Sequence, residues 1–88
     1  MIRVAYTETF HKALARLAPK QRRAAVGAIE LWLDSPTDPR LRVHHLKGDW
    51  AGHFSISAGG DLRVHLWWES KGVAVRAVTV GAHSQLYG

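Results

Sequence analysis

Six histidines, His11, His44, His45, His53, His65 and His83, stand in a chain of 88 residues. Imidazole titrates near neutrality and can take or give a proton, so this density points first to proton transfer. Metal ligation is its other common use, but the chain has no cysteine and no His-Glu-x-x-His spacing. Thiolate-held zinc and the helical zinc-protease arrangement are both closed to it, and we expect no metal and no cofactor. Without cysteine there are also no disulfides and no thiolate nucleophile, which suits the cytoplasm.

The histidines fall into two richer settings. In the stretch Val43-His44-His45-Leu46-Lys47-Gly48-Asp49-Trp50-Ala51-Gly52, two glycines and a tryptophan precede a strand, a composition that suits close backbone approach and base stacking. Trp50 itself is expected to pack. In the tail Gly81-Ala82-His83-Ser84-Gln85-Leu86-Tyr87-Gly88, His83 follows directly on the last strand, and Tyr87 serves equally well to pack the tail or to meet a nucleotide. Between the two settings lie Asp61 and Arg63.

Twelve Lys and Arg against seven Asp and Glu give a formal net charge of +5 and a pI near 10.3. Lys20, Arg22, Arg23, Arg40, Arg42 and Lys47 concentrate that charge, and a polyanion such as nucleic acid is the natural partner. No segment approaches the roughly 20 apolar residues of a membrane span, and the N-terminus has no long apolar core, so neither export nor a membrane is expected.

These residues need a scaffold, and the hydrophobic pattern supplies one. Ile2 to Tyr6 reads as a strand, and Thr7 with Glu8 as the cap and acidic first turn of a helix. Phe10, Ala13, Leu14 and Leu17 recur at helical spacing, ended by Ala18-Pro19. Pro19 then opens a second helix whose stripe is Ala25, Val26, Ile29, Trp32 and Leu33, stopped by Asp34-Ser35-Pro36. Beyond a loop from Ser35 to Arg42 the period changes to alternation. Phe54, Ile56 and Ala58, then Leu62, Val64, Leu66 and Trp68, predict two strands joined at Gly59-Gly60, and Ser70-Lys71-Gly72 turns into a third strand from Val73 to Val80. The order β-α-α-β-β-β predicts one α+β domain over residues 1–88. A two-helix hairpin packs on one face of a mainly antiparallel four-stranded sheet, and the other face carries polar and aromatic groups.

On these residues the chain resembles a known family. His-x-Leu-x-Gly-x-Trp-x-Gly before a strand is similar to the central motif of the YafQ toxins, and the tail resembles their Gly-Thr-His-x-x-Leu-Phe ending. YafQ is a branch of the RelE-type toxins, so the resemblance implies a RelE-like fold. It also implies a ribosome-dependent mRNA endoribonuclease of a type II toxin-antitoxin module, leaving 2′,3′-cyclic phosphate and 5′-hydroxyl ends. Expected partners are an acidic antitoxin, mRNA in the ribosomal A site and the 70S ribosome. By position, His44, Asp61 and His83 take the catalytic places, and Lys47, Arg63 and Tyr87 those that hold substrate. Two residues depart from the pattern: Ser57 stands where the family has a histidine, and Thr79 where it has an arginine. The alternative is a RelE/ParE-like protein that binds a nucleic acid or protein target without cutting, or with weakened catalysis.

If four of the six clustered cations neutralise phosphates of single-stranded RNA, the log of the binding constant should fall against log salt with a slope of roughly −3, at about −0.7 per phosphate. A titration from low to physiological salt measures it, and a slope near zero excludes phosphate binding by that cluster.

Overall fold

The chain leaves its first strand, β1 (Arg3–Tyr6), at Thr7, whose extended backbone and hydroxyl cap helix α1 (Glu8–Ala15) by accepting the N–H of Phe10 at 3.0 Å. Pro19 sets the first turn of α2 (Pro19–Asp34), where the Gln21 side chain accepts the Ala18 N–H at 3.2 Å. After a 3-10 turn at Pro39–Leu41 come β2 (His44–His45), a second 3-10 turn at Gly48–Trp50, β3 (His53–Ser57), β4 (Leu62–Ser70), β5 (Ala74–Ala82) and a terminal helix α3 (His83–Tyr87). This computed structural model describes residues 1–87, without the side chains of Gln85 and Tyr87.

The sheet has five strands in the order β1-β5-β4-β3-β2, one more than the predicted four. The added strand is β2, two residues inside the glycine-rich motif, which pairs antiparallel with β3 through His44↔Ser55 and His45↔Phe54. Two residues are too few to show an alternating pattern, so the segment reads as loop in sequence. The meander β3-β4-β5 is antiparallel as expected, while β1 joins the far edge parallel to β5. The third meander strand also runs two residues further than predicted, to Ala82.

Both helices lie on one face, α1 over β5 and α2 over β3 and β4. Phe10, Ala25, Ala28, Ile29 and Trp32 meet Phe54, Ile56, Leu62, Val64, Leu66, Val75, Ala77 and Val80 in a single apolar layer. Trp32 centres it, with ring centroids 5.5 Å from Phe54 and 5.4 Å from Trp68. Val26 and Leu33, expected in the α2 stripe, are exposed. Each lies one residue, about 100° of turn, beyond the buried line Ala25, Ala28, Ile29, Trp32, and Ala28 takes the inward place. Helix α1 stops at Ala15, short of Leu17, which still packs on the core from the connecting turn.

One irregularity sets the phase of β5. His65 pairs with Thr79 and Leu66 with Ala77, so Val78 is an extra residue against β4. Before this bulge Val75 and Ala77 face the helices; after it Val80 does, and Thr79 is turned to the opposite face. Thr7 fastens the bulge, because its Oγ1 donates to the Val78 carbonyl at 2.8 Å while also capping α1. We expect Thr7→Ala to cost about 2 kcal/mol, the upper range for a lost cap with a second hydrogen bond removed. The check is a urea unfolding curve, and a loss below about 0.5 kcal/mol would show that the bulge holds its place without Thr7.

Candidate active site on the open sheet face

The face away from the helices takes its layout from strand register. One row crosses four strands, His44 on β2, Ser55 on β3, His65 on β4 and Thr79 on β5. Two residues along, Ser57, Arg63 and Gly81 form the next row, and on the other side lie His53, Trp67 and Arg76. Strands are about 5 Å apart, so side chains in one row are direct neighbours.

The centre of this face is dry. His65 has 0% exposure and Ser55 1%, and Trp50 closes over them with its ring centroid 4.4 Å from that of His65, edge-on at 82°. The Gly48–Trp50 turn is what swings the indole back over the sheet, which supports a packing role for Trp50. Ser55 Oγ is buried with no hydrogen-bond partner among the described residues. Burial pushes the His65 imidazole down from its ordinary 6.5 to about 4, and the nearby charges of His53, His44 and His83 push the same way. A neutral, buried ring is a poor proton carrier at pH 7, so His65 is not a candidate for proton transfer.

The rim is wet. His44, Asp61, His83 and Lys47 are all exposed. His83 begins α3, and its N–H donates to the Asp61 carbonyl at 2.8 Å, which ties the tail to the β3–β4 turn. Asp61 fixes His83 through its backbone, and the residue also borders a cleft of about 370 Å³ with Lys20, Gln21 and Leu62, toward α2. Arg63 lies opposite Gly81, two residues before His83, and is held down by Nη1 donating to Gly60 O at 2.9 Å, Leu62 O at 3.0 Å and Ser57 Oγ at 3.4 Å. All three bonds use Nη1, and Nε and Nη2 take part in none of them. His53 Nδ1 lies 3.2 Å from the Trp50 carbonyl, a spacing that places the ring proton on Nδ1.

The structure therefore brings His44, His83 and Arg63 to one face, with His53 and His65 added. Asp61 stands at its edge, and the Tyr87 side chain, expected at a nucleotide, lies outside the described residues. The basic cluster is divided. Lys20, Arg22 and Arg23 are on α2 in the helical layer, where Arg22 Nη1 donates to Leu17 O at 3.0 Å. Arg40 pairs with Asp38 at 2.8 Å, and the carboxylate is held well below its usual range by that guanidinium. Arg42 and Lys47 flank β2. Sequence reading missed Trp67, exposed on the open face, because its alternation with Leu66 and Trp68 marked it only as outward-facing. Among the described residues no three His, Asp or Glu side chains converge to hold a metal ion.

The buried imidazole makes stability depend on pH. Unfolded, His65 binds a proton below about pH 6.5, and folded only below about 4, so within that window the unfolded state holds more protons and stability rises with pH. The contribution, roughly 3 kcal/mol, is whole above pH 6.5 and lost as pH falls to about 4. Urea unfolding at pH 7 and pH 4.5 should show this loss in the native chain and a much smaller one in His65→Leu. An equal loss in both would assign it to other groups.

No protein-family model and no curated protein sequence matches the chain. Solved structures do. YafQ from E. coli strain BL21(DE3) superposes with a TM-score of 0.79 over 100% of both chains at 18% identity. A chain of the E. coli DinJ–YafQ complex gives 0.77 over 100% of both at 16% identity. A YoeB/ParE toxin from Agrobacterium tumefaciens gives 0.73 at 17% identity, covering 92% of this chain and 98% of that one. With so little sequence shared and the whole path of the backbone in common, the chain has the RelE-like fold of the YafQ and YoeB/ParE toxins.

Proposed function

We propose that the chain is the toxin of a type II toxin-antitoxin pair and that it cuts mRNA in the A site of the 70S ribosome without a metal. The observation that carries this reading is the placement of two exposed imidazoles, His44 and His83, around His65 on the same open sheet face as the Arg63 guanidinium. Cleavage of RNA by its own 2′-hydroxyl needs that set: a base, an acid and a cation. One imidazole takes the 2′-hydroxyl proton as that oxygen attacks phosphorus. The other protonates the departing 5′-oxygen, while Arg63 offsets the charge gathering on the phosphoryl oxygens. The P–O5′ bond breaks as the new P–O2′ bond forms, giving a 2′,3′-cyclic phosphate and a 5′-hydroxyl, and no water enters.

The likeness to a chain of the DinJ–YafQ complex supports an antitoxin as the controlling partner. An acidic, partly disordered segment folding over the basic face would gain Coulomb attraction and exclude RNA together. Lys47 beside β2 and Tyr87 in α3 are placed by the resemblance to hold substrate, and Asp61 to assist catalysis. A second reading, binding without cleavage, is favoured by Ser57, which puts a hydroxyl where the resemblance has a proton carrier.

Single-turnover cleavage of mRNA on programmed ribosomes, mapped by primer extension, separates the two. His83→Gln and His44→Ala should each slow cleavage by about 100-fold or more with unchanged thermal melts, the scale of a lost acid or base. Arg63→Ala should fall with them, and His11→Ala, on α1 in the helical layer, should cut at the native rate. A folded His83→Ala protein that cleaves at full rate defeats the catalytic assignment, and a native chain that yields no cyclic-phosphate ends supports binding alone.

A further inference from the structure

On the far side of the His65 row from Arg63, the open face ends in an aromatic surface that the reaction above does not use. Trp67 is 39% exposed there, although it lies in the middle of the nine-residue strand β4. Its ring is supported on two sides. His53, its partner across the strand pair, packs against it at 5.0 Å between centroids with the rings tilted by 53°, and Trp50 packs edge-on to His53 at 5.1 Å. Beneath lies Gly52, with φ +88°, where a Cβ would come within 2.5 Å of Trp67 Cζ3. Glycine at this position allows the indole to lie directly against backbone. Arg76 faces Trp67 from β5 and is paired in the free protein with Glu69, an exposed ion pair of the kind that contributes little and exchanges readily.

We propose that Trp67, backed by His53 and Gly52, is a stacking platform for one unpaired base of the single-stranded RNA whose scissile phosphate lies at Arg63, with Arg76 beside the neighbouring phosphate. The inference rests on the RNA-cutting reading and extends it to substrate grip. Three observations favour a base over a protein side chain as the occupant. The indole is braced by the His53 ring and the Gly52 backbone, so a planar ligand is bound at small cost in ordering. It shares its strand and face with Arg63, four residues and roughly 13 Å away, so one extended strand can meet both. The surrounding charge, +5 over the chain with Arg76 alongside, matches a polyanion. Stacking is tolerant of sequence because every base has a π-face, so this platform adds affinity without choosing a codon.

The probe is a short single-stranded oligonucleotide with 2′-O-methyl groups, which cannot be cleaved, bound at low salt and followed by fluorescence anisotropy. Trp67→Ala should weaken binding about tenfold, within the 1–3 kcal/mol that one stacked base contributes. Trp67→Phe should recover most of it, and thermal melts should show all three proteins folded. Removing one base from the probe, at the position over Trp67, should weaken the native protein and leave Trp67→Ala unaffected. If native chain and Trp67→Ala bind the oligonucleotide equally while the native chain cuts ribosomal mRNA, the platform is overturned and the proposed function stands. A native chain that neither binds the oligonucleotide nor cuts mRNA overturns both. Unchanged RNA affinity with lost binding of a protein partner assigns the surface to that protein and likewise overturns the platform.

Discussion

Thr7 Oγ1 donates to the carbonyl of Val78, the residue that β5 carries in excess of β4, and the layout of the open face depends on that one extra residue. In a sheet the side chains alternate strictly, so an unbulged β5 that kept Val75 and Ala77 in the core would send Thr79 there as well. The bulge reverses the phase. Thr79 reaches the open face opposite His65, Gly81 lies opposite Arg63, and Val80 returns to the core. The chain can then leave the sheet at Ala82 with His83 bonded to Asp61 across the β3–β4 turn. A hydroxyl that also caps α1 thereby couples the helical layer to the position of His83.

The same face divides by solvation. Its middle, Ser55 and His65 under Trp50, excludes water and keeps His65 neutral, because an imidazolium there would lose its hydration and face three other imidazoles. Its rim keeps water and the exposed side chains. In the proposed reaction the two proton carriers therefore stand on either side of an uncharged, rigid floor. A neutral floor adds no charge of its own beside the phosphate, and the cation that meets it comes from the edge, where Arg63 is fixed by carbonyls of its own turn.

Much of this was legible in the residues. Helical periodicity found the hairpin, alternation found the meander, and the glycine-tryptophan motif and the tail histidine marked the two ends of the face that β2 and α3 bring together. Other features depend on information no single segment carries. The strand at His44–His45 exists because Ser55 and Phe54 offer an edge, and two residues hold no periodic signal of their own. Whether Val26 or Ala28 points inward is decided by how α2 lies on β3 and β4. A bulge cannot be counted without knowing the partner strand, so Thr79 could be noticed as a departure but not placed opposite His65. Of the tryptophans, the motif drew attention to Trp50, which packs, while Trp67, without a motif, is the one left open.

Ser57, where the resemblance has a histidine, has a structural place of its own. Its Oγ accepts the Gly59 N–H at 3.2 Å and lies 3.4 Å from Arg63 Nη1, so the hydroxyl closes the turn and steadies the guanidinium. A hydroxyl cannot shuttle protons near pH 7, and in the proposed reaction it has no need to. Two proton transfers need one base and one acid, and in the proposed reaction His44 and His83 take those parts. In the proposed reaction the positive charge beside the phosphate comes from Arg63, which this hydroxyl helps to anchor. The face thus spends its remaining histidines elsewhere, His65 as neutral floor and His53 as the backing of Trp67. In the proposed reaction His44 and Arg63 are held by the sheet's register and His83 by the bond that ties α3 to the β3–β4 turn.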